Sequence, residues 1–414
     1  MGFNAAWSMA VGGMVGGGIF SVLGVVISLA GEWAWLSFVI GGLIALATGY
    51  SYSVLTERFS ESGGLFTYLR RTKHLWFSGS LSWLLVFGYI LTISVYAFTF
   101  GHYLAYAVGA GSWLPRLAAL SISVIFIWVN LRGVKTASWI EIVIVWGKLL
   151  VLLVIAGYGL YRWQPALLSQ GIPAENAGFS LIGAASVFMA YEGFQLLAYD
   201  YDSIKKPRKN LPREILWAIV SVIAVYVAVS IGATMLVGAD VVVQEKEVAI
   251  ASAGQAAFGT LGLVLATIAA IFSTGSAINA TVFATARLTH DVAQNKELPV
   301  FFGRESRLGV PYVAVLIIGL AGAGLAMVGT IETLVEAASL IFLFTFATAN
   351  VMAFAYIKRK RWITAGGAAG ASAACAFLVW EMFHTSPLSL GLLLIVILIS
   401  TVGRIFILRR LNRA

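Results

Sequence analysis

Gly12-Gly13-Met14-Val15-Gly16-Gly17-Gly18-Ile19-Phe20 is the stretch whose reading decides the fold. Five glycines fall within seven residues, inside an apolar run of about 4–29. Glycine permits non-helical dihedrals and close approach of a ligand to the backbone. In a bilayer core no water satisfies free N–H and C=O groups, so an unwound segment there needs protein or a ligand to pair with. Two readings stand side by side. The run is a broken helix, whose free N–H groups near Ile19 favour a carboxylate, or it is a face of small residues for close helix packing. A dinucleotide-binding loop at 16–18 is excluded, since no strand precedes it.

The rest of the chain supplies the setting. It has 414 residues, 60% of them hydrophobic and 11% charged, against about 25% charged in an ordinary soluble domain. Mean hydropathy is +0.91. A cytosolic enzyme, a disordered chain and a secreted disulfide scaffold are excluded. Cys375 is the one cysteine, so disulfides within the chain and cysteine-built metal sites are excluded, and four scattered histidines argue against a metal site. Apolar runs near 20 residues recur almost throughout, which predicts an all-α polytopic membrane protein. Twelve spans are expected, at 4–29, 34–56, 77–108, 113–131, 136–160, 178–199, 212–237, 257–289, 310–328, 332–357, 362–383 and 386–408. No basic n-region or cleavage site precedes a soluble part, so no removable signal peptide is expected.

The charges orient these spans. Arg116, Arg162 and Lys246 fall on one side and Lys148 falls within a span; the other 23 of 27 basic residues fall on the opposite side. By the positive-inside rule both termini are cytoplasmic. The net charge of +9 is therefore a topology signal, and no basic domain stands apart from the membrane to bind nucleic acid. The stretch 62–74 reads either as a short interfacial helix, with Phe66 and Leu69 toward lipid and Arg70, Arg71 and Lys73 toward headgroups, or as a solvated basic loop.

Three further groups carry chemistry. Phe188-Met189-Ala190-Tyr191-Glu192-Gly193-Phe194-Gln195 places a carboxylate at mid-span beside a glycine. Such a group faces a cavity or a partner. Glu192 is read either as neutralising a substrate amine or passing a proton, or as a carboxylate bonded within the bundle. Lys148 lies deep in the fifth span, too far in for easy snorkelling. Burial disfavours its charged form, so it is a candidate for gaining and losing a proton. Glu141, seven residues earlier, is given a structural role. In the eighth span Ser273, Thr274 and Ser276 offer small oxygens for a cation or an ammonium. Bonds back to their own helix are the alternative for each. Asn279 and Arg287 read as packing and helix-end residues.

At these residues the chain closely resembles the amino acid–polyamine–organocation superfamily. Gly16-Gly17-Gly18-Ile19-Phe20 matches that family's Gly-x-Gly-Ile-Phe signature. Ser62-Gly63-Gly64, the segment 191–194, the basic stretch 205–213 and the exit of the eighth span through Arg287 and Leu298-Pro299 are similar landmarks. The likeness is strongest to archaeal broad-specificity proton-coupled amino acid transporters. The resemblance implies one transmembrane domain over 1–414 with a five-plus-five inverted-repeat (LeuT-like) fold. Repeats of about 4–160 and 178–357, broken helices 1 and 6, and two extra helices at about 362–408 are expected. It implies substrate binding by Met14, Val15, Gly16, Gly17, Gly18 and Ile19, with Tyr191, Glu192 and Gly193 opposite. It also implies that Lys148 substitutes for the sodium ion of sodium-coupled relatives, tying helix 5 to helices 1 and 8 around Ser273 and Thr274.

The expected function is a secondary transporter for amino acids, with proton symport favoured over exchange and no cofactor. Its partners are the amino acid, protons and the lipid bilayer. Small neutral amino acids are the default substrates, and a cationic amino acid or amine using Glu192 is the alternative. A membrane-embedded enzyme would need a clustered acid, base or metal set, which the mid-membrane inventory lacks. A channel or sensor sharing the fold is the third class. Each transport unit is complete in one chain, which is compatible with a monomer.

Overall fold

A computed structural model describes residues 1–61, 64–109, 111–133, 138–199 and 201–411. Ser62 and Gly63 of the landmark above, and Lys135 and Arg413 among the 23 basic residues counted on one side, lie outside them. The described residues form helices and no strand. The first half comprises α1 (Phe3–Ala30), α2 (Ala34–Phe59), the short α3 (Gly64–Arg71), α4 (Leu75–Val108), α5 (Leu114–Leu131) and α6 (Ser138–Arg162). The sixth expected span is in pieces: α7 (Phe179–Ser186), a 3-10 turn (Phe188–Tyr191) and α8 (Leu196–Tyr199). Then come α9 (Pro207–Val237), α10 (Ala239–Gln244), α11 (Ala249–Gln294), α12 (Tyr312–Val328), α13 (Ile331–Tyr356) and α14 (Arg361–Thr385). The chain closes with α15 (Pro387–Leu398), a π turn (Ile399–Gly403) and α16 (Arg404–Leu411).

Nine segments of the described residues are long and apolar enough to cross a membrane, the first of which, Phe3–Phe59, contains both α1 and α2; Tyr312–Val328 is a shorter apolar helix. This is a multi-pass membrane protein. Burial sorts the helices into an inner and an outer set. In the most apolar window of Phe3–Phe59 94% of residues are buried, against 28% for Leu114–Leu131 and 22% for Pro387–Arg409. The second pair are apolar helices with most of their surface uncovered by protein, as expected of a lipid-facing rim. Small residues bring neighbouring helices into backbone contact. A methyl group on Gly232 of α9 would lie 2.7 Å from Ala156 Cα of α6.

Three expectations change. The first span is not interrupted: α1 is helical from Phe3 to Ala30, straight through 12–18. The glycines are used for packing instead, as described below. A helix that was not expected precedes the eighth span: the helical path breaks at Phe258 and Gly259, where Gly259 has φ +61°, so 249–257 is a separate short helix and the span itself begins close to its expected start. Finally, 64–71 is a helix, but Phe66 and Leu69 are buried in the protein rather than turned to lipid. Ser78 of α4 donates to the Phe66 carbonyl at 3.0 Å and holds this helix inward. Arg71 pairs with Glu61, and this hydrogen bond holds the Glu61 carboxyl below its ordinary range.

Candidate functional site

The glycine run of α1 is the hub at which other helices converge. Gly13 meets the Gly193 backbone, with 3.0 Å from its would-be Cβ to Gly193 Cα. Gly16 faces Ala277 of α11 at 2.6 Å on the same measure. Gly17 lies under the ring of Tyr96 from α4, and Gly18 lies under the hydroxyl of Tyr226 from α9. A side chain at any of these positions would push a neighbour away. Close approach therefore explains the glycines without unwinding the helix.

The same turn of α1 offers its carbonyls to side chains from three helices. Lys148 Nζ of α6 donates to Gly12 O at 3.1 Å. Ser273 Oγ of α11 donates to Val15 O at 2.8 Å. The Tyr226 hydroxyl lies 2.7 Å from Met14 O and 2.8 Å from Ala190 O. A phenol has one hydrogen, so two backbone acceptors, one in each half of the site, share a single donor. Each carbonyl oxygen carries a second lone pair, so these bonds add to the helix ladder rather than replace it.

The sixth span is in pieces around 187–195. Glu192 is extended, and Gly193 has φ +133°, a conformation that side chains rarely adopt. A Cβ on Gly193 would also lie 2.6 Å from Met14 N, so the two segments touch backbone to backbone. Side chains take up the freed polar groups. Gly193 N–H donates to Gln195 Oε1 at 2.9 Å. Gln195 Nε2 donates to Glu192 Oε1 at 2.8 Å and reaches Tyr89 at 3.3 Å. Ser339 of α13 bonds Met189 N–H and Ser186 O. Tyr191 donates its hydroxyl to Phe38 O of α2 at 2.5 Å.

Thus Met14, Val15, Gly16, Gly17 and Gly18 come together with Tyr191, Glu192 and Gly193, and Ile19 is buried beside them. Lys148, 2% exposed, and Ser273 join α1 at carbonyls three residues apart, within one turn. Thr274 is placed differently. Its hydroxyl bonds Ala270 O of its own helix at 2.7 Å, the local use open to any helical threonine. Ser276 likewise bonds Ser273 O at 3.3 Å. Asn279 accepts from Asn130 of α5 at 2.9 Å, and Arg287 lies over Phe283, in keeping with packing roles. Glu141 interacts electrostatically with Lys148 and sits near Gly12.

The sequence reading missed Tyr226, Ser339, Tyr89 and Tyr96, and left Gln195 without a role. The signal available was weak: each of the four hydroxyls is one of several in its apolar span, and every one of these must find a partner. Among the described residues no group of three or more His, Cys, Asp or Glu is arranged to hold a metal ion.

Comparison with known proteins fits this architecture. The amino acid permease family matches residues 1–408. An uncharacterized protein of Methanocaldococcus jannaschii is 32% identical over 72% of this chain and 70% of its own length. The inner membrane transport protein YbaT of Escherichia coli is 31% identical over 84% of this chain and 81% of its own. The serine/threonine exchanger SteT of Bacillus subtilis is 27% identical over 72% and 69%. These relatives are transport proteins where their names state a role, and none is named as an enzyme. With a multi-pass helical fold and a family match over nearly its whole length, the chain belongs to the amino acid permease family of secondary transporters.

Proposed function

We propose that this protein takes up amino acids by proton symport, through alternating access around the glycine-rich turn of α1 and the interrupted sixth span. The observation that carries the reading is the buried Lys148 ammonium on the Gly12 carbonyl. It joins α6 to the turn of α1 that faces Gly193, so its protonation state bears directly on the substrate segment. A protonated lysine donates to Gly12 O and holds α6 to α1. Loss of the proton removes the charge and weakens this hydrogen bond. Lys148 then stands where a sodium ion sits in sodium-coupled members, in line with the likeness to archaeal proton-coupled transporters. Ser273 holds the same turn of α1 at Val15 O.

The wider topology in this proposal has twelve spans, a five-plus-five inverted repeat with two extra helices, cytoplasmic termini and a transport unit within one chain. Small neutral amino acids are the substrates. Glu192 Oε1 accepts from Gln195, which gives this carboxyl a partner within the protein. Exchange is the second reading, favoured by the likeness to a serine/threonine exchanger.

The test is uptake of a labelled amino acid panel into proteoliposomes with and without an inward proton gradient. One pH unit stores about 1.4 kcal/mol, so one-to-one symport accumulates substrate up to about tenfold. Lys148→Ala abolishes that accumulation while the protein remains folded. Retained accumulation in the variant refutes the role of Lys148. Uptake only into vesicles preloaded with amino acid replaces symport by exchange.

A further inference from the structure

The backbone of the sixth span carries a gap that a single side chain fills. In an unbroken helix Met189 N–H would bond Ala185 O, and Ser186 O would accept from Ala190 N–H. Here Ala190 N–H is turned to Val187 O at 3.0 Å, in the tighter 3-10 geometry. The two groups left over meet the same atom. Met189 N–H donates to Ser339 Oγ at 2.9 Å, and Ser339 Oγ donates its own hydrogen to Ser186 O at 2.8 Å. A hydroxyl has one donor and spare lone pairs, so it can serve both sides of the gap at once. Ser339 is fully buried, 150 residues along the chain from Met189, on a helix that also packs against α2 and α4.

We propose that Ser339 is a positioning residue for the substrate segment: its hydroxyl is inserted into the backbone between Ser186 and Met189 and keeps the sixth span open. The consequence for transport rests on the proposed function; the bridge itself does not. Without the hydroxyl a buried N–H and a buried C=O lose their partner, so the segment opens more readily and interconverts with a rewound turn in which they pair again. Rewinding rotates Tyr191, Glu192 and Gly193 about the helix axis, away from Gly13 and Met14. Residue 339 therefore controls where the substrate segment faces without itself touching substrate.

The experiment compares full-length wild type with Ser339→Ala, Ser339→Cys and Ser339→Thr by amide hydrogen exchange and by uptake of labelled L-alanine in proteoliposomes. In Ser339→Ala the peptide covering 186–193 exchanges about tenfold faster or more, while peptides from α2 and α4 keep wild-type rates. KM for L-alanine rises by about tenfold, with the maximal rate within about threefold of wild type. Ser339→Thr retains a hydroxyl and restores both. Ser339→Cys, close in size with a weaker donor, exchanges faster than wild type, which keeps the test open if the alanine variant does not fold. Unchanged exchange at 186–193 in Ala and Cys variants overturns the proposal. So does acceleration spread evenly over all helices, the mark of general destabilisation. Absence of L-alanine uptake by the wild type counts against the transport reading, and the exchange data then decide the role of Ser339.

Discussion

Gly16→Ala places a methyl group 2.6 Å from the Ala277 Cβ of α11. Carbon atoms pack best at about 3.5–4.0 Å, so the overlap is roughly 1 Å or more. Both partners are first side-chain atoms fixed to helices, and neither can rotate away. Relief requires α1 and α11 to separate, which strains the adjacent bond from Ser273 to Val15 O. Overpacking of this kind costs about 1–3 kcal/mol. Alanine regains about 1 kcal/mol over glycine within a helix. The expected net loss is about 0–2 kcal/mol. Ala277→Gly alone costs about 1 kcal/mol through the same helix preference in reverse.

The double variant moves the methyl group from α11 to α1. After Cβ of residue 277 is removed, the nearest atoms to the new methyl are Cα of residue 277 at 3.7 Å and Ser273 O at 3.9 Å, both ordinary contacts. Helix preferences then cancel, and the double variant lies within about 1 kcal/mol of wild type. Simple addition predicts a loss of about 1–3 kcal/mol instead. Equilibrium unfolding of all four proteins in mixed micelles measures the difference. Single losses that add to within about 0.5 kcal/mol refute the packing role assigned to Gly16.

Two further predictions concern the polar network. Tyr226→Phe keeps the ring and removes the hydroxyl shared by Met14 O and Ala190 O. Unfolding stability falls by about 1–3 kcal/mol, and unchanged stability in the same micelle assay shows that the hydroxyl does not clasp the two segments. Glu192→Gln keeps an acceptor for Gln195, so uptake of neutral amino acids stays within about threefold of wild type, a loss below 1 kcal/mol. A selective loss of cationic amino acids in competition assays assigns the charge to substrate recognition instead.

The membrane class, the helical segments and the importance of the glycine run were legible in the amino-acid sequence, because each depends on how a residue behaves toward lipid or toward its own backbone. Lys148 and Glu192 stood out because ionisable groups at mid-span demand a partner. The state of the first span was not legible. A glycine run serves unwinding and close packing equally well, and what separates the two is whether neighbours come near. Here Tyr96, Tyr226, Ala277 and Gly193 all do, and the helix remains whole. Thr274 looked equivalent to Ser273 beside it. Successive positions point about 100° apart on a helix, so only Ser273 reaches Val15 O while Thr274 turns to its own backbone.

Hydropathy and motif together determined that this is a multi-pass permease, and they pointed to 12–20, 148 and 188–195 as its candidate site. Tertiary structure alone decided which groups meet: Lys148 with Gly12, Ser273 with Val15, Tyr226 with both halves of the site, and Ser339 with the gap in the sixth span. These partners are up to 258 residues apart along the chain. A one-dimensional pattern records each residue's preference for lipid, water or helix. It does not record which of many buried hydroxyls or carbonyls comes within 3 Å of another, because packing of all the helices together sets those distances.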